Sequence, residues 1–135
     1  MFRMTRSHTL VATAALMFAM ALPAAHAAGP MSTRAVAHAF VQDLATGHYA
    51  RAEACFTPRM RRLAKPAKLR SLWQFLGRKF GAYEKIDGSD AVTVAGHPTI
   101  IVHTAFTRLT VGLEITFDAA HRIAGLHVVP VQPAA

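Results

Sequence analysis

Apolar residues recur at helical spacing through the first part of the chain after residue 31. Val36, Phe40 and Leu44 follow one another every four residues, which predicts a first helix that Gly47 ends. Ser32 or Thr33 is suited to cap that helix. A second, short helix is expected at residues 49–56, and the chain restarts at Thr57-Pro58.

The longest apolar stripe predicts the main helix of the chain. Its members stand at positions i, i+3, i+4, i+7 and i+11 between Pro66 and Gly81. They are Leu69, Leu72, Trp73, Leu76 and Phe80. This spacing predicts a third helix over residues 66–80 with one continuous apolar face.

After Gly81 the apolar period changes from helical to strand-like. Residues 111–118 alternate strictly, with Val111, Leu113, Ile115 and Phe117 on one face. Residues 118–122 form a turn into a last strand at 123–129, and shorter strands are expected at 83–87 and 92–94, with a turn at 96–98. Helices followed by antiparallel strands predict an α+β fold, with three helices packed on a curved antiparallel sheet of four to five strands.

The run from residue 99 to 109 is apolar on both faces of its predicted strand. One face holds Ile100, Val102 and Phe106, and the other holds Ile101, Ala105 and Leu109. A strand with two apolar faces is covered on both. Because the helices cover only one face, we expect the outer face to meet a second protomer or another partner.

The first 27 residues have the composition of a cleavable signal peptide. A basic start precedes an uncharged apolar run at 10–22, and Ala25-His26-Ala27 supplies a small-x-small cleavage pattern. The apolar run is shorter than the roughly 20 residues that a spanning helix needs, although a retained anchor is the alternative. The prediction is therefore cleavage after Ala27, a periplasmic or secreted protein, and a single domain over residues 28–135.

Charge is concentrated in one window. The whole chain has a formal net charge of +8, and residues 59–79 hold eight of its 15 Lys and Arg residues and no acid. Such a window indicates an anionic partner such as envelope lipid or polymer, or else a solvated helix face. Nucleic acid is not expected, because exposed aromatic residues do not interleave with the charges. The candidate anion-contacting residues are Arg59, Arg61, Arg62, Lys65, Lys68 and Arg70.

The apolar spacings, with a few glycines, resemble a known superfamily. The residues concerned are Phe40, Leu44, Gly47, Tyr49, Ala52, Phe56, Met60, Leu63, Leu69, Trp73, Leu76 and Gly81, then Phe117, Asp118, Ile123, Gly125, Leu126 and Pro130. They resemble small nuclear transport factor 2-like domains (cystatin-like α+β rolls), and within them an exported bacterial domain family of unknown function. Its members occur alone or ahead of an α/β-hydrolase domain. A turn position often held by glycine is His121 here.

The resemblance implies a cone-shaped roll whose hollow holds a ligand or an active site, and dimers that form through the outer sheet face. Ketosteroid isomerase-like and polyketide cyclase-like proteins use such a hollow for catalysis. The candidate bases for that chemistry are His103 and Asp43. The candidate ligand-binding residues are Trp73, Tyr83, His103 and Phe106. A structural histidine and core aromatics are the alternative readings.

No pattern in the sequence predicts a metal site or a cofactor. Four histidines of the predicted strands and turns lack ligand-like spacing, and no phosphate-binding loop is present. Cys55, the single cysteine, has apolar neighbours that favour an inert thiol. Three hypotheses remain: a non-catalytic domain that binds an apolar ligand or a protein, a small isomerase-like or cyclase-like enzyme, and an electrostatic binder of anionic surfaces.

Overall fold

A computed structural model describes residues 31–131, so the predicted signal peptide lies outside the described residues. Four helices come first in the chain: α1 (Thr33–Ala45), α2 (Tyr49–Glu53), α3 (Pro58–Leu63) and α4 (Pro66–Phe80). The bounds of α4 are those that the apolar stripe predicts. The sequence predicted three helices, and the fourth is the six-residue α3, in the segment expected only to restart the chain.

Capping side chains explain where α1 and α3 begin. The hydroxyl of Ser32 accepts a hydrogen bond from the backbone N–H of Ala35 at 3.1 Å. Thr57 does the same for the N–H of Met60 at 3.2 Å, and Pro58 follows it in the first turn of α3. These contacts satisfy N–H groups that have no partner inside the helix.

Four antiparallel strands follow the helices and complete an α+β fold. They are β1 (Tyr83–Val94), β2 (His97–Phe106), β3 (Thr110–Phe117) and β4 (Ile123–Pro130). Their order in the sheet is β1-β2-β3-β4, so each strand pairs with its neighbour in sequence and β1 and β4 are the edges. The predicted α+β class is confirmed, with helices followed by a curved, open sheet of four strands.

The prediction of two separate strands before the turn was wrong. Residues 83–94 form one strand, whose register with β2 shifts between Tyr83 and Lys85 and again between Ile86 and Ser89. Gly88 lies within the second irregularity at a φ of 97°. A bulge accommodates such a residue without ending the strand. The turn into β2 is made by Ala95 and Gly96, both at positive φ, rather than by residues 96–98.

The helices cover one face of the sheet and form the core with it. The inward residues of β2 and β3 alternate as the sequence predicts and are buried. The largest fully buried side chains are Phe40, Phe56, Phe117, Leu44, Leu69, Leu76, Leu113, Ile115 and Ile123. Phe40 of α1 and Phe56 meet with ring centroids 5.5 Å apart.

The opposite, outer face of the sheet has a small apolar centre. Ile101 and Val129 come so close over Gly112 that a Cβ atom there would lie 2.8 and 2.9 Å from their methyl groups. Leu109, predicted to share this face, instead lies in the β2–β3 turn with 52% of its surface exposed. Among the described residues no helix covers the outer face.

The β3–β4 turn is held by one carboxylate and one left-handed residue. Asp118 Oδ1 accepts hydrogen bonds from the N–H groups of Ala120 (2.9 Å) and Arg122 (2.8 Å). His121 has a φ of 60°, so histidine occupies a left-handed position that glycine fills at lower cost. Partial burial acts to raise the pKa of Asp118, but the two N–H donors and the Arg122 side chain outweigh it and lower that pKa.

We expect Asp118→Ala to destabilise the domain by about 1 kcal/mol at pH 7, as the loss of a cap does. Asp118→Asn keeps an oxygen acceptor and should cost less. Because the pKa of Asp118 is lower in the folded state, its ionisation stabilises that state above the unfolded pKa of about 3.9. The contribution disappears as the pH falls through the folded pKa.

Urea unfolding of the wild type and Asp118→Asn at pH 7 and at pH 3 measures this contribution. The difference in unfolding free energy should be smaller at pH 3. A difference that is independent of pH would show that the charge of Asp118 has no part in the stability of the turn.

Candidate functional site

A groove of about 700 Å³ opens between α3, the first half of α4 and strand β4. Most of its lining is apolar. The helices contribute Arg59, Met60, Leu63, Ala64, Lys68, Leu69 and Leu72, and the strand contributes residues 124–128. It lies where the helices meet the edge strand of the sheet.

At the head of the groove, the chain between α2 and α3 pairs with the start of β4. Phe56 and Ile123 form a parallel bridge, in which the N–H of Ile123 donates to the carbonyl of Cys55 at 2.7 Å. Met60 and Leu69 are buried at the base, whereas Leu63 has 55% of its surface exposed.

Two of the six candidate anion-contacting residues line this groove. Arg59 and Lys68 are exposed and stand among its apolar side chains. Arg61 instead donates to the carbonyl of Ala54 at 3.2 Å, and the guanidinium of Arg70 lies 5.8 Å from the ring centre of Tyr49. Arg62 and Lys65 are also exposed and lie outside the lining.

A second, smaller groove of about 270 Å³ continues along the same strand. Its lining consists of Lys79, Phe80, Leu109, Val111 and residues 128–130. Val128 belongs to both grooves. Together the two grooves include every residue of β4 from 124 to 130 in their linings.

The structure brings three of the four predicted ligand-binding residues together, but none of the three lines either groove. Trp73 lies 5.5 Å from Tyr83 and 5.5 Å from Phe106, measured between ring centroids. Phe80 joins the cluster at 6.2 Å from Phe106. These contacts pack α4 against β1 and β2, and burial raises the pKa of Tyr83.

His103, the fourth of these residues and a candidate base, lies on the outer face of the sheet. Its Nε2 is 2.8 Å from Oδ2 of Asp90 on the neighbouring strand. The sequence did not indicate this acidic partner, because the bulge in β1 sets the register that brings Asp90 there. Asp43, the other candidate base, lies on α1 with its Oδ1 3.5 Å from Nε of Arg51, whereas His103 lies on β2.

Other ionisable groups form pairs of similar kind. His127 faces Glu114 across the outer face, with Nδ1 3.9 Å from Oε1, so it reaches the groove through its backbone rather than its ring.

Burial, and then the negative charge of Asp43, raise the pKa of the Cys55 thiol. A raised pKa keeps the thiol protonated and weakly nucleophilic.

A polar cluster that the sequence did not indicate joins α1 to β1. Nε2 of His38 lies 2.9 Å from Oγ of Ser89, and Arg34 donates to the carbonyl of Ser89 at 2.9 Å. Its side chains share no motif spacing, since 51 residues separate His38 from Ser89. These contacts tie the bulged strand β1 to helix α1.

Residues 31–131 contain no group of three or more His, Cys, Asp and Glu side chains arranged to hold a metal ion. None of their helices is long and apolar enough to span a membrane.

Comparison with known protein families matches most of the described residues. A family model described as "Protein of unknown function (DUF3887)" matches residues 37–126, two thirds of the chain. The match begins within α1 and ends within β4, so it includes all four strands in whole or in part. No curated protein and no solved structure matches the chain significantly.

Proposed function

The chain belongs to the DUF3887 family of proteins of unknown function, and we propose from its groove that it is an exported, non-catalytic binding domain. The groove between α3, α4 and β4 accepts the apolar part of a ligand or of a protein partner. The observation that carries the proposal is an open, mostly apolar groove of about 700 Å³ in a small domain. Ligand sites commonly have volumes of about 300–1,000 Å³ and apolar linings.

The chemistry of the lining supports binding rather than catalysis. In the described part of the chain, Arg59, Lys68 and His127 are the ionisable residues of the groove, and the ring of His127 lies on the outer face. An isomerase or cyclase needs a carboxylate or an imidazole directed into its cavity. His103 and Asp43, the candidate bases, are placed elsewhere, so an enzyme using them remains the less favoured alternative.

The basic surface supports an electrostatic contribution to the same function. Arg59 and Lys68 place positive charge within the groove, and residues 59–79 contain no acidic side chain. Binding to anionic envelope lipid or polymer through this surface is the second alternative. It predicts co-sedimentation with anionic vesicles that weakens as salt increases.

Three further proposals concern context. The order of helices and curved sheet supports membership of the nuclear transport factor 2-like superfamily, and the leader pattern at 1–27 supports export. The uncovered centre of the outer face around Gly112 supports a homodimer formed there. Mass by light scattering at micromolar concentration tests the dimer, and mass analysis of the secreted protein tests cleavage after Ala27.

The groove is tested with an uncharged apolar dye, N-phenyl-1-naphthylamine, whose fluorescence rises in an apolar environment. We expect the wild type to bind it and Leu72→Trp to weaken binding about tenfold, equivalent to 1.4 kcal/mol. The larger side chain of Leu72→Trp occupies the space in which the dye would lie, because Leu72 lines the groove.

Phe75→Trp is the matched control. It introduces the same side chain on the same helix at an exposed position outside the groove, so the dye affinity should stay within about twofold of the wild type. If Leu72→Trp is folded by circular dichroism and binds the dye as well as the wild type, the groove is not the binding site.

A further inference from the structure

The two edges of the sheet differ in how they are protected from pairing with another strand. β1 carries the charged residues Glu84, Lys85, Asp87 and Asp90 and two register irregularities. β4 contains no Lys, Arg, Asp or Glu; its register with β3 shifts once, at its start between Ile123 and Gly125, and Pro130 stands at its last position. Charges and bulges prevent edge strands from pairing, so β1 is protected along its length, whereas β4 is open to a partner between its irregular start and Pro130.

The chain itself pairs with β4 only at the first residue of that strand. Ile123 donates its N–H to the carbonyl of Cys55 and accepts from the N–H of Thr57 at 2.9 Å. From Ala124 onward, the described residues place no further strand on that side of β4. Within the described residues, pairing on this side of β4 therefore involves Ile123 alone.

The first groove borders the open edge of β4, and the second continues beside it onto the inner face, where Val111 of β3 also lines it. Successive side chains of a strand point to opposite faces, yet all residues from 124 to 128 line the first groove and those from 128 to 130 line the second. Consecutive residues share one cavity when that cavity runs along the backbone edge. At about 3.3 Å per residue, this edge is about 23 Å long.

The wall opposite the edge is apolar and positively charged. Met60, Leu63 and Leu72 offer apolar contacts, and Arg59, Lys68 and Lys79 supply charge at intervals along the two grooves. The backbone of an extended occupant would therefore hydrogen-bond to β4, and its side chains would meet apolar and cationic groups of the helices.

We propose that an extended segment of a partner protein, with alternating apolar and acidic residues, adds to β4 as a fifth strand. The proposal rests on the binding role of the groove and specifies the chemical class of its occupant. Backbone hydrogen bonds to β4 give such strand addition its affinity, and side-chain contacts give it specificity. The acidic residues of the segment lie against Arg59, Lys68 and Lys79.

Two other occupants fit less well. A second copy paired through β4 would bring its own Arg59 and Lys68 toward those of the first, and like charges repel. An acyl chain with an anionic head would satisfy the charges and the apolar wall. It would leave the backbone groups of the β4 edge without partners, which is costly once water is displaced.

The probe is a synthetic nonapeptide of alternating glutamate and valine, titrated into the isotope-labelled protein and followed by NMR. We expect saturable binding and slower amide exchange at alternate residues of 124–130, because strand addition gives those N–H groups new acceptors. The same peptide with every backbone nitrogen methylated keeps its side chains but loses its donors. It should bind at least about tenfold more weakly.

Charge selectivity is tested with the double variant Arg59→Glu/Lys68→Glu, which should weaken peptide binding about tenfold or more at low salt. Arg78→Glu/Lys85→Glu changes the net charge equally at exposed positions outside both grooves. This control should retain affinity within about threefold. A peptide with lysine in place of glutamate should not bind.

The contrary outcomes distinguish a failure of strand addition from a failure of the groove as a binding site. Dye binding without peptide binding would refute strand addition and leave the apolar groove intact. Tighter binding of palmitate than of the peptide, without slower exchange along β4, would make an anionic amphiphile the occupant. Slow exchange along β4 in a free protein of dimeric mass would make it a second copy. Failure of both dye and peptide to bind would refute the groove itself.

Discussion

Gly81→Ala is expected to destabilise the domain by about 3 kcal/mol or more. Gly81 ends α4 with a φ of 97° and a ψ of −168°, a conformation that costs a residue with a Cβ atom about 1–3 kcal/mol. A Cβ atom at this position would also overlap Oγ1 of Thr107 and lie 3.1 Å from its Cβ. Total stabilities of 5–15 kcal/mol make this a large loss.

Thr107 cannot move aside easily, because it joins the β2–β3 turn to the end of α4. Its N–H donates to the carbonyl of Ala82 at 2.9 Å, and its hydroxyl accepts from the N–H of Ala82 at 3.1 Å. Arg108 next to it donates to the carbonyl of Phe80 at 2.8 Å. An added methyl group would therefore break the junction between helix and sheet.

Substitutions at two other glycines distinguish the backbone cost of Gly81→Ala from its steric overlap with Thr107. Gly47 has a φ of 79° with open space around it, so Gly47→Ala measures the backbone cost alone, about 1–2 kcal/mol. Gly77 lies within α4, also with open space, and Gly77→Ala should stabilise by roughly 0.5–1 kcal/mol. Urea unfolding measures all three. A loss for Gly81→Ala no larger than that for Gly47→Ala would exclude the overlap with Thr107.

Helix α4 and the inward face of β3 were predictable because local patterns determine them. The stripe from Leu69 to Phe80 specified α4 to the residue, and the alternation through Val111 to Phe117 specified which side of β3 is buried. In both cases the amphipathic period of one segment is enough, since each segment must bury a single apolar side.

The register of β1 was not predictable, and it determines what the outer face contains. Gly88 is typical of a turn, yet here the partner strand β2 continues past it and the pairing absorbs it as an irregularity. As a result Ser89 faces α1 and Asp90 faces His103. These contacts depend on long-range pairing, which no local period of the sequence encodes.

The groove was missed for a related reason. Trp73, Tyr83 and Phe106 were the expected ligand contacts because aromatic residues commonly line pockets, but they pack against one another. The groove instead lies next to the bridge between Phe56 and Ile123, a long-range pairing that no local pattern of the sequence encodes. Glycine, alanine and leucine line its strand side, and these residues carry no sequence signal for a site.

Phe40→Ala should destabilise the domain by about 3–5 kcal/mol, the usual cost of truncating a buried phenylalanine. Phe40 is completely buried in α1 and packs against Phe56 with the ring centroids 5.5 Å apart. The space left by its ring lies between α1 and the sheet, where surrounding side chains are also fully buried and have little freedom to refill it.

Phe75→Ala removes the same atoms from a position with 48% of its surface exposed, so its cost should stay below about 1 kcal/mol. Chemical unfolding of both variants, with the wild type alongside, gives the comparison. Since Phe56 also pairs with Ile123 at the head of the groove, loss of Phe40 should loosen that bridge and weaken dye binding in the folded variant. A similar stability loss for both variants would mean that Phe40 is not part of a well-packed core.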